Sequence, residues 1–151
     1  MIRLVLAAAL AFAALPAFAQ TPSPEAVKEL APTGKLRAAV NYGNGVLAQR
    51  GADGAPQGVS ADLSRELAKR LGVPLEFVPF PAAGKAFEAA KQGAIDVLYV
   101  AIEPVRAAEV DFTPPYVLIE GAYLVLKDSP LKTPTDVDQP GIRIAIGENS
   151  A

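Results

Sequence analysis

In the stretch "VSADLSRELAKRLG" (residues 59–72), Leu63, Leu67 and Leu71 recur every four residues, while Arg65, Glu66, Lys69 and Arg70 fall elsewhere. That spacing matches a period of about 3.6 residues and predicts an amphipathic helix with one apolar stripe. Ser60 reads as its N-cap and Gly72 as its C′ stop. "GKLRAAV" (34–40) and "VPLEFVPF" (73–80) predict strands on either side of it. "AGKAFEAAKQG" (83–93) predicts a second helix ended by Gly93, and the mostly apolar "AIDVLYVA" (94–101) a third strand buried on both faces. The order β-α-β-α-β with short connections is that of a parallel, doubly wound α/β sheet.

Between the first strand and first helix, residues 41–58 are rich in Gly and Asn and read as a long loop, with turns at Asp53-Gly54 and Pro56. Further on, "YVLIEGAYLVLK" (116–127) reads as a long extended segment able to bridge two lobes, bending near Gly121. "TPTDVDQPG" (133–141) reads as a short helix or turn and "IRIAI" (142–146) as another strand. The chain stops at "GENSA", where a covering helix is expected, so the sequence reads as the N-terminal part of a longer protein.

The opening "MIRLVLAAALAFAALPAFAQ" changes the picture of where the protein works. Arg3, an apolar run over 4–15 and Ala17-Phe18-Ala19 form the three regions of a cleavable secretion signal, with the mature chain starting at Gln20. The run is short and broken by Pro16, which argues against a membrane span. No cysteine follows to carry a lipid, so the expected product is free in the periplasm. The Pro-rich "TPSPE" (21–25) lies in a stretch, 20–33, that reads as a flexible leader.

Charge and composition close off much chemistry. Loss of residues 1–19 removes Arg3 from the 14 basic residues and leaves 13 against 16 acidic ones. A mildly acidic chain without a basic face is a poor partner for nucleic acid. With no histidine and no cysteine, a Ser-His-Asp triad, a Cys-His pair, disulfides and ordinary zinc sites are excluded.

Three segments follow strand ends, where open α/β sheets bind their ligands. They are residues 41–45, 101–106 and 147–150. In the second, Arg106 follows a Pro turn. Spacing alone favours a surface ion pair with Glu109 or Asp111, contributing about 0–1 kcal/mol. The other reading is a guanidinium fork for a ligand carboxylate, whose charge-assisted bond contributes roughly 1.5–3 kcal/mol.

"GVSADLSRELAKRLGVPLEFVPF" and "GAIDVLYVAIEPVRAAEVDFTPPYV" resemble the first lobe of the amino-acid-type periplasmic solute-binding proteins of ABC importers (family 3-like). The matching positions are Gly58, Asp62 and Leu63, then Gly93 and Asp96, then Arg106 followed by Asp111-Phe112-Thr113-Pro114-Pro115-Tyr116. "GIRIAIGENSA" resembles the opening of the second lobe. The resemblance implies a periplasmic binding protein type II-like fold of two doubly wound α/β lobes. Of these, an incomplete first lobe (34–118) and the crossover and start of the second (119–151) are present.

The resemblance also implies that Arg106 grips the α-carboxylate of a bound amino acid. Asp111 and Tyr116 help set the turn before the crossover, and Asp62 ties the first loop to the helix start by accepting backbone N–H bonds. Tyr99, in a strand, points to core packing. Three positions depart from the family pattern. Ala101 stands where a Ser or Thr precedes the family's Ile-Thr-Pro turn, Glu103 replaces the Thr of that turn, and Asn44 falls at the first-loop aromatic, with Tyr42 two residues earlier. Glu103 is open to pairing with Arg106, to receiving a cationic ligand group, or to being a solvated turn residue. Asn41 and Asn44 are open between turns and ligand. Ser150 matches the family's Ser/Thr at the start of a second-lobe helix, and is equally a good N-cap.

The function implied is capture of a small carboxylate-bearing solute between two lobes and its delivery to a membrane permease, without catalysis or cofactor. Two alternatives use the same fold. One is a periplasmic cyclohexadienyl (arogenate or prephenate) dehydratase with Glu103 as its nearest acid. The other is an extracytoplasmic sensor domain.

Overall fold

The computed structural model describes residues 21–146; the stretch read as a secretion signal and the candidate segment 147–150, with Ser150, lie outside them. In chain order the elements are α1 (Pro24–Leu30), β1 (Leu36–Asn41), β2 (Gln49–Arg50), β3 (Pro56–Gln57), α2 (Val59–Leu71), β4 (Leu75–Phe80), α3 (Ala83–Lys91), α4 (Pro104–Ala107) and α5 (Pro134–Val137).

β1 is the centre of the fold because it is paired on both edges. β4 runs parallel to it from Leu36↔Leu75 to Asn41↔Phe80. On the other edge Ala38 bridges Val97, also in parallel, and the Ala39 N–H donates to the Val97 carbonyl at 2.8 Å. Side chains alternate across β1, so Leu36 enters one apolar cluster and Ala39 another. The first holds Leu36, Ala68 and Leu71 with Val27 and Leu30 of α1 packed against it. The second holds Ala39, Ala86 and Ile95 with Val78 and Phe80. α1 and α2 thus cover one face and α3 the other, the doubly wound arrangement expected. Pro79 fits β4 because that strand pairs along one edge among the described residues.

The buried arc of α2 differs from the leucine stripe. Ser60, Ala61, Ser64, Ala68 and Leu71 are buried, while Leu63 is 38% exposed. Leu63 lies about 100° around the axis from Ser64. The small residues let the helix approach the sheet closely. Ser60 is inside the helix rather than its N-cap; Gly58 takes that place at φ +105°, where an added Cβ would lie 2.6 Å from the Leu47 carbonyl oxygen. That same oxygen accepts the Ser60 N–H at 3.1 Å, so the loop before the helix is held against its first turn. Gly72 ends the helix in the left-handed region, as its sequence position suggested.

Four other expectations change. The leader contains α1, started by Pro24 at its first turn and by the Ser23 hydroxyl, which accepts the Ala26 N–H at 3.2 Å. The loop after β1 folds into a small antiparallel hairpin of β2 and β3. The third strand is reduced to the bridge at Val97, flanked by N–H donation from Asp96 and Val97 to the Arg37 carbonyl. "IRIAI" forms no strand, and Ile142, Ile144 and Ile146 are exposed. A strand is a pairing as much as a residue preference, and among the described residues this segment pairs with no other strand. Residues 116–126 likewise carry no ladder.

The third segment is fastened by a side chain. Asp96 accepts the Arg37 backbone N–H at 2.8 Å and its guanidinium at 3.0 Å (Nε) and 2.5 Å (Nη2). The Arg37 side chain is 18% exposed and that of Asp96 5%. The hydrogen bonds that the Arg37 guanidinium donates to Asp96 raise the Arg37 pKa, keeping the cation in place. Asp96→Ala is expected to lower the urea midpoint clearly more than Glu66→Ala, which removes the exposed Arg70–Glu66 pair. Equal midpoints in urea titrations followed by circular dichroism would contradict the clamp.

Candidate functional site

The parallel register carries three chain segments out at one end of the sheet. They are the loop after Asn41, the turn after Phe80 and the chain after Val100. The first is a compact turn system. Asn41 Oδ1 accepts the Gly43 N–H at 3.0 Å and Asn44 Oδ1 the Val46 N–H at 3.2 Å. Both asparagines therefore shape the loop with their side-chain oxygens. Tyr42 donates its N–H to the Phe80 carbonyl at 2.9 Å, and the Arg50 guanidinium lies 4.8 Å from its ring centroid. That cation–π contact ties the loop to the β2–β3 hairpin. A Cβ at Gly43 would overlap the Pro81 carbonyl oxygen, so the first two loops meet where only glycine fits.

In the third segment Glu103 is the N-cap of α4 and Pro104 begins it. The single turn directs Arg106 inward, where it is 7% exposed. Its Nε lies 3.4 Å from Glu103 Oε2, and Nη1 donates to the Ala101 carbonyl at 3.4 Å. A buried guanidinium requires such partners, because desolvating an uncompensated charge is costly. The structure therefore brings Ala101, Glu103 and Arg106 into direct contact. Of the alternatives for Glu103, pairing with Arg106 is the one present in this conformation.

Asp62 has a different partner from the backbone donors expected. Its Oδ1 accepts Arg65 Nη1 at 2.8 Å, while Arg65 Nη2 donates to the Pro56 carbonyl at 2.6 Å. The Arg65 guanidinium also lies 5.2 Å from the Phe77 ring centroid. Asp62 thus ties the loop to α2 through Arg65.

Two serines, Ser60 read only as an N-cap and Ser64 not singled out in the sequence, organise the chain just ahead of the crossover. The Ser64 hydroxyl donates to the Ser60 carbonyl at 2.8 Å and lies 3.0 Å from the Tyr99 hydroxyl, which leaves Tyr99 as the donor between them. Tyr116 meets Tyr99 edge to face, at 5.8 Å between centroids and 86° between planes, and hydrogen-bonds to Ser60. Tyr99 is therefore partly core, as expected, and also a seat for Tyr116. Ser60 and Ser64 stand one helical turn apart, a signal visible in sequence but overshadowed by the leucines. A separate concave surface around Tyr123, Leu131, Lys132 and Val137 shares no residue with the strand-end loops.

The family model for bacterial extracellular solute-binding proteins, family 3, matches residues 36–143. A probable histidine-binding protein of Campylobacter jejuni subsp. jejuni is 34% identical over 100 residues, covering 62% of this chain and 39% of that protein. The chain thus spans about two fifths of that relative's length. Among solved structures, a variant of domain 1 of the arginine-binding protein TmArgBP, in its arginine-bound form, has a TM-score of 0.54 at 26% identity. That match covers 61% of this chain and 72% of that one. An ancestral cationic amino acid solute-binding protein matches with TM-score 0.54 at 32% identity, over 60% of this chain and 40% of its own. An ancestral cyclohexadienyl dehydratase matches with TM-score 0.54 at 29% identity, over 60% and 38% respectively.

The tyrosine pair makes the fold sensitive to alkali. Burial pushes both hydroxyls above their ordinary pKa, more than the serine hydrogen bonds lower them. The folded state then holds these protons more tightly than the unfolded chain, whose tyrosines titrate near about pH 10. Their contribution to stability is complete below about pH 10 and is lost as pH rises through the folded-state values. Unfolding free energy measured in urea is expected to fall in this range for the wild type and to fall less for a Tyr99→Phe, Tyr116→Phe double variant. Identical alkaline profiles would contradict the assignment.

Proposed function

The chain belongs to the bacterial extracellular solute-binding proteins, family 3, and from that membership we propose that it captures an amino acid or related small carboxylate for import. Its fold is that of a partial lobe of a type II periplasmic binding protein. Among the described residues no helix is long and apolar enough to cross a membrane. In this reading the protein works in the periplasm, holds its ligand between two lobes and delivers it to the membrane permease of an ABC importer. It performs no catalysis.

Arg106 carries the proposal. Its guanidinium is nearly buried at the C-terminal end of a parallel sheet, where its position is set by a one-turn helix and a neighbouring carboxylate. A planar cation held in this way is preorganised for a carboxylate, because little side-chain freedom remains to be lost on binding. Ala101 and Glu103 border it directly, while Asn41, Tyr42 and Asn44 form the adjoining loop; Ser150 would join them from beyond the described residues. The relatives named for histidine, arginine and cationic amino acids support an amino-acid ligand.

The dehydratase similarity supports a second reading on the same fold. Turnover of prephenate would favour it, and stoichiometric release of unchanged ligand would exclude it. For the binding reading, Arg106→Ala is expected to weaken ligand binding by roughly 2–5 kcal/mol, the usual cost of breaking a desolvated charge pair. Calorimetric titration of the full-length protein checks this. An unchanged dissociation constant would return Arg106 to a structural role.

A further inference from the structure

We propose that Asn44 is a site of spontaneous covalent modification. Its side-chain amide closes on the Gly45 backbone nitrogen to a cyclic imide, which water opens to aspartate and isoaspartate. Asn41 and Asn44 are the two asparagines among the described residues, and Asp53-Gly54 is the Asp-Gly pair, at the β2–β3 turn. At each, the attacking atom is the backbone nitrogen of the following residue. A nitrogen whose N–H is tied into the fold must first break that hydrogen bond. The Tyr42 N–H donates to the Phe80 carbonyl and the Gly54 N–H to the Gly51 carbonyl, both at 2.9 Å. The Gly45 N–H has no hydrogen-bond partner among the described residues, and Gly45 is exposed. Without a side chain, it also leaves its nitrogen open to approach. The fold thus protects two of the three places and leaves Asn44 reactive.

The Asn44 amide is also oriented for the reaction. Its Oδ1 accepts the Val46 N–H at 3.2 Å, closing a turn whose ring contains the Gly45 nitrogen. Solvent base removes the Gly45 amide proton, and the nitrogen bonds to Asn44 Cγ. Negative charge develops on Oδ1, where the Val46 N–H already points. Collapse breaks the bond from Cγ to the side-chain nitrogen, which takes up a proton and leaves as ammonia. Water then adds to either ring carbonyl. Breaking the new Cγ–N bond gives aspartate. Breaking the bond from the backbone carbonyl carbon gives isoaspartate, with the chain now running through Cβ and Cγ. One water is consumed, one ammonia is released, and nothing is oxidised or reduced. Either product adds a carboxylate to the loop that adjoins Arg106. Isoaspartate also removes the residue-44 peptide carbonyl, which accepts the Leu47 N–H at 3.1 Å and the Ala48 N–H at 3.0 Å.

The test incubates the full-length protein, folded and in urea, at mildly alkaline pH. Trypsin releases residues 38–50 as one peptide, so fragmentation mass spectrometry reads Asn41 and Asn44 side by side. Labelling by protein isoaspartate methyltransferase reports isoaspartate. In the folded protein Asn44 is expected to convert about tenfold or more faster than Asn41, and urea to speed Asn41 more than Asn44. Gly45 lies outside the left-handed region and an added Cβ there meets nothing within 4 Å, so Gly45→Ala is compatible with the loop. That variant is expected to slow conversion of Asn44 by about tenfold or more, because the methyl group crowds the attacking nitrogen. Three results would each overturn the proposal. They are Asn44 intact in the folded protein while the urea-unfolded chain converts, wild-type conversion in Gly45→Ala, and aspartate formed without isoaspartate.

Discussion

The carboxylate of Asp96 is the point on which the described fold turns. It accepts the backbone N–H of Arg37 and two hydrogen bonds from the same residue's guanidinium, so one side chain fastens the chain after α3 to the edge of β1. Only a short ladder around Val97 accompanies it. Register in a parallel pair decides which side chains face which layer, and a slip of one residue would exchange them. By holding that register, Asp96 sends Ile95 into the cluster beneath α3 and carries Ala101–Arg106 out beside the loop that follows Asn41. The family's Gly-x-x-Asp element, Gly93 to Asp96 here, thereby acquires a physical reason. Gly93 supplies the left-handed turn after α3 at φ +68°, and Asp96 supplies the clamp.

Around this frame, charge is placed where rigid structure can hold it. Arg106 sits on a helix too short to be stable alone, yet Pro104, the Glu103 carboxylate and the Ala101 carbonyl fix it at the sheet's end. A mostly buried ion pair is a weak source of stability, because desolvation offsets much of the attraction. Its value here lies in orientation. The same logic applies where the Ser64 hydroxyl links the Ser60 carbonyl to the Tyr99 hydroxyl and the Tyr99 ring meets Tyr116 edge to face, which seats a residue just ahead of the crossover against α2. Both arrangements use polar groups that are satisfied locally, and among the described residues no buried side-chain polar atom lacks a hydrogen-bond partner.

Legibility in the sequence followed how local each signal was. β1, β4, α2 and α3 were readable because periodicity and the glycines at 72 and 93 act within a few residues. That the chain after Asn41 and the chain after Val100 leave the same end of the sheet followed from element order alone. α1 was hidden because Pro24 and Ser23, excellent at a helix start, resemble linker composition when read without their packing partners Val27 and Leu30. "AIDVLYVA" and "IRIAI" promised strands that the described residues scarcely pair, since apolar β-branched runs say nothing about an available edge. The leucine stripe misplaced the buried arc of α2 because Ser60 and Ser64 satisfy their hydroxyls internally and pass for surface residues on polarity. At the candidate site, Arg106 stood out through its spacing to Asp111-Phe112-Thr113. Its burial did not, because a four-residue helix has no period to read.

The account's central claim is that Arg106 receives the carboxylate of a bound amino acid. A crystal structure of the full-length protein with the amino acid it retains tests this most directly. The account predicts the ligand carboxylate within hydrogen-bonding distance of the Arg106 guanidinium, at the end of the sheet shared by the Asn41 and Phe80 loops. A ligand held elsewhere, with Arg106 still packed on Glu103 and touching no ligand atom, would contradict it.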